Sequence, residues 1–218
     1  MARRLISEQD ILDAAKRGER TFHLDDNAIV TDAAKDRAKQ LSIKLGEKDS
    51  AAETQKSIPS STSQHSGPKE ILAIGSDHGG FQLKELLKPF LESLGHQVVD
   101  LGTYSDDACD YPDYAYAVAR MVSLGEASKG VMVDSVGIAS AIVANKLLGI
   151  RAACCSDEFS ARSSREHNNA NVLTLGGKIL GVELAKSIVR VWLGTNFGGG
   201  RHQKRVDKIS DIEKRLSK

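Results

Sequence analysis

Ile71-Leu-Ala-Ile-Gly-Ser-Asp-His78 is the stretch on which the reading of this chain turns. Four apolar residues run into Gly75, and an acid and an imidazole follow at Asp77 and His78. A short apolar run closed by glycine reads as a buried strand. Beyond it, Leu83, Leu86, Leu87, Phe90, Leu91 and Leu94 mark one face of a helix that stops at Gly95. The alternation then repeats. Gln97–Leu101 reads as a strand, Tyr114–Leu124 as a helix and Gly130-Val-Met-Val133 as a strand. The loop Asp134-Ser-Val-Gly-Ile-Ala139 leads into a helix that ends near Asn145. Ile150–Cys154 and Val172–Leu175 are further strands, Leu184–Leu193 is an amphipathic helix, and a basic helix closes the chain. Strands separated by helices predict an α/β domain with a mostly parallel sheet covered on both faces. Ligands in such folds gather beyond the carboxyl ends of the strands. Asp77, Asp134 and Asp157 each closely follow a predicted strand, which places them on that rim. No internal repeat is evident.

Upstream, residues 47–69 are rich in Ser, Thr, Gln and Lys, and their only non-proline apolar residues are Ala51, Ala52 and Ile58. Such a segment buries too little to offset its ordering entropy and reads as a flexible linker. It separates a small α/β module, residues 1–46, from the main domain, residues 70–218. In the module, Ser7-Glu-Gln-Asp10 reads as a helix cap before Ile11, Leu12, Ala14 and Ala15, with Gly18 as the stop. Thr21–Leu24 reads as a short strand, and Thr31 caps a second helix carrying Ala33, Ala34, Ala38 and Leu41. A unit this small is only marginally stable alone, so it is expected to dock on something.

The chain has 218 residues, 27% charged and 40% hydrophobic, with a net charge of +1. That balance fits a soluble globular protein and offers no field for nucleic acid or anionic membrane. Aromatics at 5% argue against a base-stacking platform. Cys109, Cys154 and Cys155 form no CxxC pattern, so neither a disulfide frame nor a zinc site is expected. A reducing, cytoplasmic setting fits best. No apolar run is long enough to span a membrane, and Met1-Ala-Arg-Arg-Leu-Ile6 lacks the apolar core of a secretory signal. Cys154-Cys155 reads as strand-end core, since buried cysteine behaves as a small hydrophobe.

Several groups suit an anionic sugar. Arg201 and Arg205, four apart on a helix, share one face and can hold phosphate as two guanidinium forks. A merely solvated basic helix is the alternative, because Lys204, Lys208, Lys214 and Arg215 lie nearby. The N–H groups of the loop around Gly137 can point at an anion, since a helix start carries unpaired donors. His78 and His167 both fall in polar loops on this reading, placed for proton transfer at neutral pH or simply solvated. The histidines show no tight metal-ligand spacing, so no metal is expected.

Taken together, several motifs carry a resemblance. They are Ile74-Gly-Ser-Asp-His-Gly-Gly-Phe81, Asp110-Tyr-Pro-Asp113, Ala144-Asn-Lys146, Arg165-Glu-His-Asn168, Asn171-Val-Leu-Thr-Leu-Gly-Gly177 and Gly199-Gly-Arg-His202. In this order, across about residues 70–210, they resemble the ribose-5-phosphate isomerase B and galactose-6-phosphate isomerase family. The resemblance implies a Rossmann-like three-layer sandwich, a homodimer or tetramer with active sites shared between subunits, and no metal or organic cofactor. It implies that an aldose phosphate and a ketose phosphate interconvert through an enediolate. By the same resemblance, Asp77 and His78 contact the phosphorylated sugar, and His167 opens its ring with Asn168 beside it. Arg201 and Arg205 hold phosphate, Asp110 and Tyr111 lie on a loop near substrate, and the N–H groups at Gly137 and Ile138 stabilise the enediolate oxygen.

One position departs from the family. Its loop typically reads Cys-Gly-Thr-Gly-Ile-Gly, and here the thiol base is replaced by Asp134 and its threonine helper by Val136. Relatives without the cysteine use a glutamate at the position that is Ser140 here. Two readings follow. Asp134 is the base, because a carboxylate is ionised at neutral pH without a helper; or the chain is a non-catalytic sugar-phosphate binder or scaffold. The small module has a resemblance of its own. Leu5-Ile-Ser-Glu-Gln-Asp-Ile11, Ala28-Ile-Val-Thr-Asp-Ala-Ala34 and Asp36-Arg-Ala38 are similar to N-terminal modules on enzymes of bacterial microcompartments. That implies docking to a shell or cargo in the compartment lumen, with a simple oligomerisation arm as the alternative.

Overall fold

The computed structural model describes residues 5–17, 19–24, 28–41, 43–47 and 70–216. The chain separates into two compact units, one beginning at Ile6 and one at Glu70.

The first unit comprises β1 (Leu5–Ile6), α1 (Glu8–Lys16), β2 (Thr21–Leu24), β3 (Ile29–Val30), α2 (Asp32–Gln40) and β4 (Lys44–Glu47). Ser7 caps α1 by accepting from Asp10 N–H, and the Asp10 carboxylate accepts from Ser7 N–H at 2.8 Å, a reciprocal capping box. Thr31 caps α2 by accepting from Ala34 N–H at 3.1 Å. Strand β1 pairs with β3, and β2 runs parallel to β4. Each half is thus a strand, a Ser/Thr-capped helix and a strand. This structural repeat is invisible as sequence similarity because the halves fill one core differently. The first gives Ile6, Ile11, Ala14 and Phe22, and the second gives Ala34, Ala38 and Ile43. Glu47 ends β4 and so is not linker. Gly18 and residues 48–69 lie outside the described residues.

The second unit comprises β5 (Ile71–Ser76), α3 (Phe81–Ser93), β6 (Gln97–Asp100), α4 (Tyr111–Ser123), β7 (Lys129–Asp134), α5 (Ile138–Ala144), β8 (Ala152–Cys154), α6 (Glu158–Asn168), β9 (Val172–Gly176), α7 (Val182–Gly194) and α8 (Arg201–Leu216). The sheet has five strands in the order β6-β5-β7-β9-β8, all parallel. Strands buried on both faces must be apolar nearly throughout. On one face Leu72, Ile74, Val131, Val133, Leu173 and Leu175 pack with Leu83, Leu87 and Leu91 of α3 and with Ile188, Val189 and Trp192 of α7. On the other face α4 approaches closely, because the strands present glycine there. A Cβ on Gly75 or Gly130 would stand 2.8 or 2.6 Å from the Val118 side chain. Leu86 and Leu94, expected on the inner face of α3, are exposed. The chain moves from β5 to β6 on one side and to β7 on the other. The crevice of this α/β fold therefore opens between the carboxyl ends of β5 and β7.

Three local readings need correction. His167 lies in the last turn of α6 and not in a loop. The helix is capped by Asp157, whose side chain accepts from Ser160 N–H at 2.7 Å. Its buried face is Ala161 and Arg165, with the Arg165 guanidinium 5.5 Å from the Trp192 ring centroid, so no aliphatic stripe betrays it. Helix α4 begins three residues early, at Tyr111, with Pro112 in the first turn where its missing N–H costs nothing. Strand β8 covers only Ala152–Cys154; Cys155 is buried but Cys154 is exposed. Among the described residues, no helix is long and apolar enough to cross a membrane.

Candidate active site

The crevice between β5 and β7 is walled by two carboxylates. Asp77 follows β5, and its N–H donates to the Val133 carbonyl at 3.1 Å, which locks the turn to β7. Its side chain is 5% exposed and accepts from Gly80 N–H at 2.9 Å. Burial pushes the Asp77 carboxyl above the ordinary carboxylate range, and the nearby Asp134 adds to the rise. The turn needs small residues. A Cβ on Gly80 would sit 2.1 Å from the Val133 carbonyl oxygen, and one on Gly79 would sit 2.1 Å from the Ser135 hydroxyl.

Asp134 stands at the strand tip, as its sequence position predicts, but its side chain folds back into its own loop. Oδ1 accepts from Val136 N–H at 2.7 Å and from Gly137 N–H; Oδ2 accepts from Ser140 N–H at 2.9 Å and from the Ser140 hydroxyl at 2.5 Å. A carboxylate offers about four acceptor sites, and here all four are filled. Asp134 is 3% exposed and Ser140 fully buried. The expected base is thus the clasp of the β7–α5 loop. Of the two N–H groups expected to hold an enediolate oxygen, that of Gly137 already holds this carboxylate. Ile138 and Ala139, the first residues of α5, keep helix-start N–H groups that bond to none of the described residues. Gly137 makes the bend with φ +87°, a conformation that favours glycine, and its carbonyl accepts from the Thr174 hydroxyl at 2.7 Å.

His78, Asp110 and Tyr111 complete this rim. His78 Nδ1 lies 3.3 Å from both the N and the O of Cys109, which ties the imidazole to the segment leading into α4. Asp110 is the N-cap residue of α4 without a side-chain cap bond, and Tyr111 is its first residue. Burial raises the pKa of the thiols of Cys109 and Cys154, so neither is primed as a thiolate.

The remaining predicted residues lie elsewhere. Helix α6 ends at Asn168, just before Val172 opens β9, whereas Asp134 pairs with Gly176 at the far end of that strand. Four residue rises separate the two ends, about 13 Å along the strand. His167 Nδ1 is 3.1 Å from the Ser163 hydroxyl, and the ring stacks on His202 with centroids 4.4 Å apart and planes 12° from parallel. The Glu166 carbonyl accepts from Gly198 N–H, and Arg165 Nε donates to the Thr195 carbonyl. These bonds bring the start of α8 beside the end of α6. Arg201 and Arg205 are exposed on the first turns of α8, flanking the buried His202. Burial lowers the His202 pKa, its neighbours His167, Arg201 and Arg205 lower it further, and its Nδ1 is buried without a partner.

Within one chain, then, the fold gathers Asp77, His78, Asp110, Tyr111, Asp134, Gly137 and Ile138 at one end of the sheet. It gathers His167, Asn168, Arg201 and Arg205 at the other. The sequence reading assigned no role to His202 or to Ser140. His202 and Val206, four apart and both buried, mark the inward face of α8. Ser140 carries no comparable signal, because its partner acid is six residues away across a loop. Among the described residues, no group of three or more His, Cys, Asp or Glu side chains is arranged to hold a metal ion.

Comparison with known proteins agrees with this architecture. Residues 72–209 match the family model described as Ribose/Galactose Isomerase. Ribose-5-phosphate isomerase B of Escherichia coli is 47% identical over 144 residues, 66% of this chain and 97% of that protein. D-erythrulose-4-phosphate isomerase of Pectobacterium atrosepticum is 40% identical over 146 residues, 65% of this chain and 94% of that protein. The solved structure of ribose-5-phosphate isomerase B from Clostridium thermocellum superposes with a TM-score of 0.66 at 46% identity, covering 67% of this chain and 99% of that one. With its parallel sheet, its crevice and this continuous match, the chain belongs to the ribose/galactose isomerase family.

Proposed function

We propose that the chain is a sugar-phosphate isomerase. It interconverts the aldose and ketose forms of a phosphorylated sugar of four to six carbons, of the ribose 5-phosphate type, through an enediolate. Its working site is assembled from two copies. The observation that carries this reading is the division of the site residues between opposite ends of one sheet, in a chain that belongs to a family of isomerases. One copy supplies the crevice, with Asp77, His78, Asp110 and Tyr111 against the sugar and the Ile138 N–H toward the enediolate oxygen. The other supplies Arg201 and Arg205 for the phosphate and His167, beside Asn168, to pass the proton that opens the ring. Two exposed guanidinium forks one helical turn apart suit a dianionic phosphate. An imidazole braced by a hydroxyl and a stacked ring suits proton relay near neutral pH. Related isomerases act on ribose 5-phosphate and D-erythrulose 4-phosphate, which supports a substrate in this size range without choosing one.

A panel of ribose 5-phosphate, ribulose 5-phosphate and tetrose and hexose phosphates tests this directly. The reading predicts isomerisation of at least one, with solvent deuterium entering the sugar carbon. A second reading has a specific observation in its favour. The occupied carboxylate of Asp134, where the family carries a thiol, fits a sugar-phosphate binder that lacks a base. That reading predicts phosphate-dependent sugar binding with no deuterium incorporation from any member of the panel.

For the first unit we propose docking to a partner such as a microcompartment shell. A core of its own and its separation from the isomerase unit support an independent role. Deleting residues 1–69 is expected to leave isomerisation intact and abolish co-fractionation with shells; unchanged co-fractionation would exclude this role.

A further inference from the structure

We infer that Asp77, rather than the residue at the family's thiol position, carries the proton between C1 and C2 of the substrate in this chain. The inference rests on the isomerase reading above and concerns which group of the crevice acts.

The two carboxylates of the crevice differ in what their oxygens already do. Asp134 accepts four hydrogen bonds from Val136, Gly137 and Ser140, so a proton or substrate atom must displace one of them to reach it. Asp77 accepts from Gly80 N–H at 2.9 Å, a backbone group of its own turn. At least half of its acceptor capacity is left for a ligand. Its backbone position is fixed by the Val133 carbonyl, on the strand beside Asp134. It therefore stands at the same switch point, one strand across from the missing thiol. Gly79 keeps the approach open, since a side chain there would strike the Ser135 hydroxyl and come within 3.4 Å of Asp77 Oδ1. Ser135 stands where the family loop has a glycine.

The electrostatics point the same way. Burial and the Asp134 charge make Asp77 a stronger base than an ordinary aspartate, while its free oxygen keeps it reachable. Two acids pushed toward different tasks by their surroundings is a recurrent route to an acid–base assignment. In the step inferred here, the Asp77 carboxylate takes the proton from C2 of the open-chain aldose. The C–H electron pair becomes the C1–C2 double bond, and the aldehyde oxygen takes the negative charge. Asp77 then returns its proton to C1. The double-bond electrons pass to that new C–H bond, the carbonyl forms at C2, and the O2 proton moves to O1. No oxidant or reductant is required.

The experiment compares Asp77→Asn, Asp77→Glu, Asp134→Asn and Ser140→Ala in the full chain, with wild type as reference. Asp77→Asn is isosteric and keeps an oxygen for Gly80 N–H. It is expected to cut solvent-deuterium exchange and turnover by about 10²–10⁴-fold. Inhibition by inorganic phosphate and the melting temperature should stay as in wild type. Asp77→Glu should recover part of the exchange and shift the acid limb of the pH–rate profile, which in wild type should lie above the ordinary carboxylate value of about 3.9. The titratable groups facing Asp77 are Asp134, His78 and Cys109, so that limb should move with the Asp77 variants and with removal of the Asp134 charge, but not with Ser140→Ala. Ser140→Ala loosens the loop and lowers turnover but leaves the limb in place, whereas Asp134→Asn lowers turnover and moves the limb to lower pH, because it removes a charge that raises the Asp77 pKa. Exchange in Asp77→Asn at the wild-type rate would overturn the inference, as would a limb that moves with Ser140→Ala and not with Asp77→Glu. Absence of exchange in wild type on every sugar of the panel would remove the isomerase reading itself, and this inference with it.

Discussion

The two ends of the parallel sheet are built on different principles. At the carboxyl end the two carboxylates are buried and held largely by backbone groups. Asp77 and Asp134 are 5% and 3% exposed, and their turns are so tight that Gly80 has no room for a methyl. At the amino end Arg201 and Arg205 stand on exposed helical turns, beside the stacked His167–His202 pair. One end is an acid-walled crevice, with Lys178 bonded through its backbone to the Ser135 carbonyl at its edge. The other presents cations without a crevice. Under the two-copy reading proposed above, neither end is a site alone, and each copy supplies what the other lacks.

After the loss expected of Asp77→Asn, the largest effect is expected at the cation end. Arg205→Ala removes a charge-assisted fork to phosphate, worth about 1.5–3 kcal/mol. It should lower kcat/KM by about 10–100-fold, and measured kinetics on the phosphorylated sugar with added salt will check it. A change below twofold would mean that α8 is only a solvated basic helix.

A smaller effect probes the crevice. Gly80→Ala keeps an allowed backbone but drives a Cβ into the Val133 carbonyl. Overpacking of this kind costs about 1–3 kcal/mol, read as a lowered denaturant midpoint. An unchanged midpoint would show that the turn has slack and that the rigidity drawn here is overstated.

The smallest effect concerns the histidine stack. The folded state lowers the His202 pKa, so protonation favours unfolding. Its contribution to stability is present above the unfolded pKa of about 6.5 and is lost as pH falls. His202→Phe keeps a ring against His167 and removes the titration. Its melting temperature should fall less than that of wild type between about pH 7.5 and pH 5.5. Equal falls would remove His202 from the acid response.

Much of this architecture is legible in the chain itself. The apolar runs at Ile71–Ile74, Gly130–Val133 and Val172–Leu175 are strands because both of their faces are buried, and nothing else tolerates so continuous a run. What stayed hidden has physical reasons. Helix α6 escaped because its inner face is a guanidinium under an indole and not an aliphatic stripe. The loop of Asp134 could be placed at a strand tip, but the direction of its side chain depends on Ser140, six residues on, and on the backbone turn at Gly137. The division of the site between two ends follows from strand order and direction. No local motif encodes it, and the motifs alone bring Arg201 and Asp77 together as if in one copy.

The central claim is that two copies complete each site, and complementation measures it. Asp77→Asn and Arg205→Ala chains, each impaired alone, are to be unfolded together, refolded and assayed. If Asp77 and Arg205 of different copies serve one site, a random mixture regains about one quarter of wild-type activity, because half of the dimers are mixed and each mixed dimer holds one intact site. A chain carrying both substitutions, refolded alone, regains nothing. Activity in the mixture no higher than the mean of the two single variants would contradict the shared site and return all of its residues to a single copy.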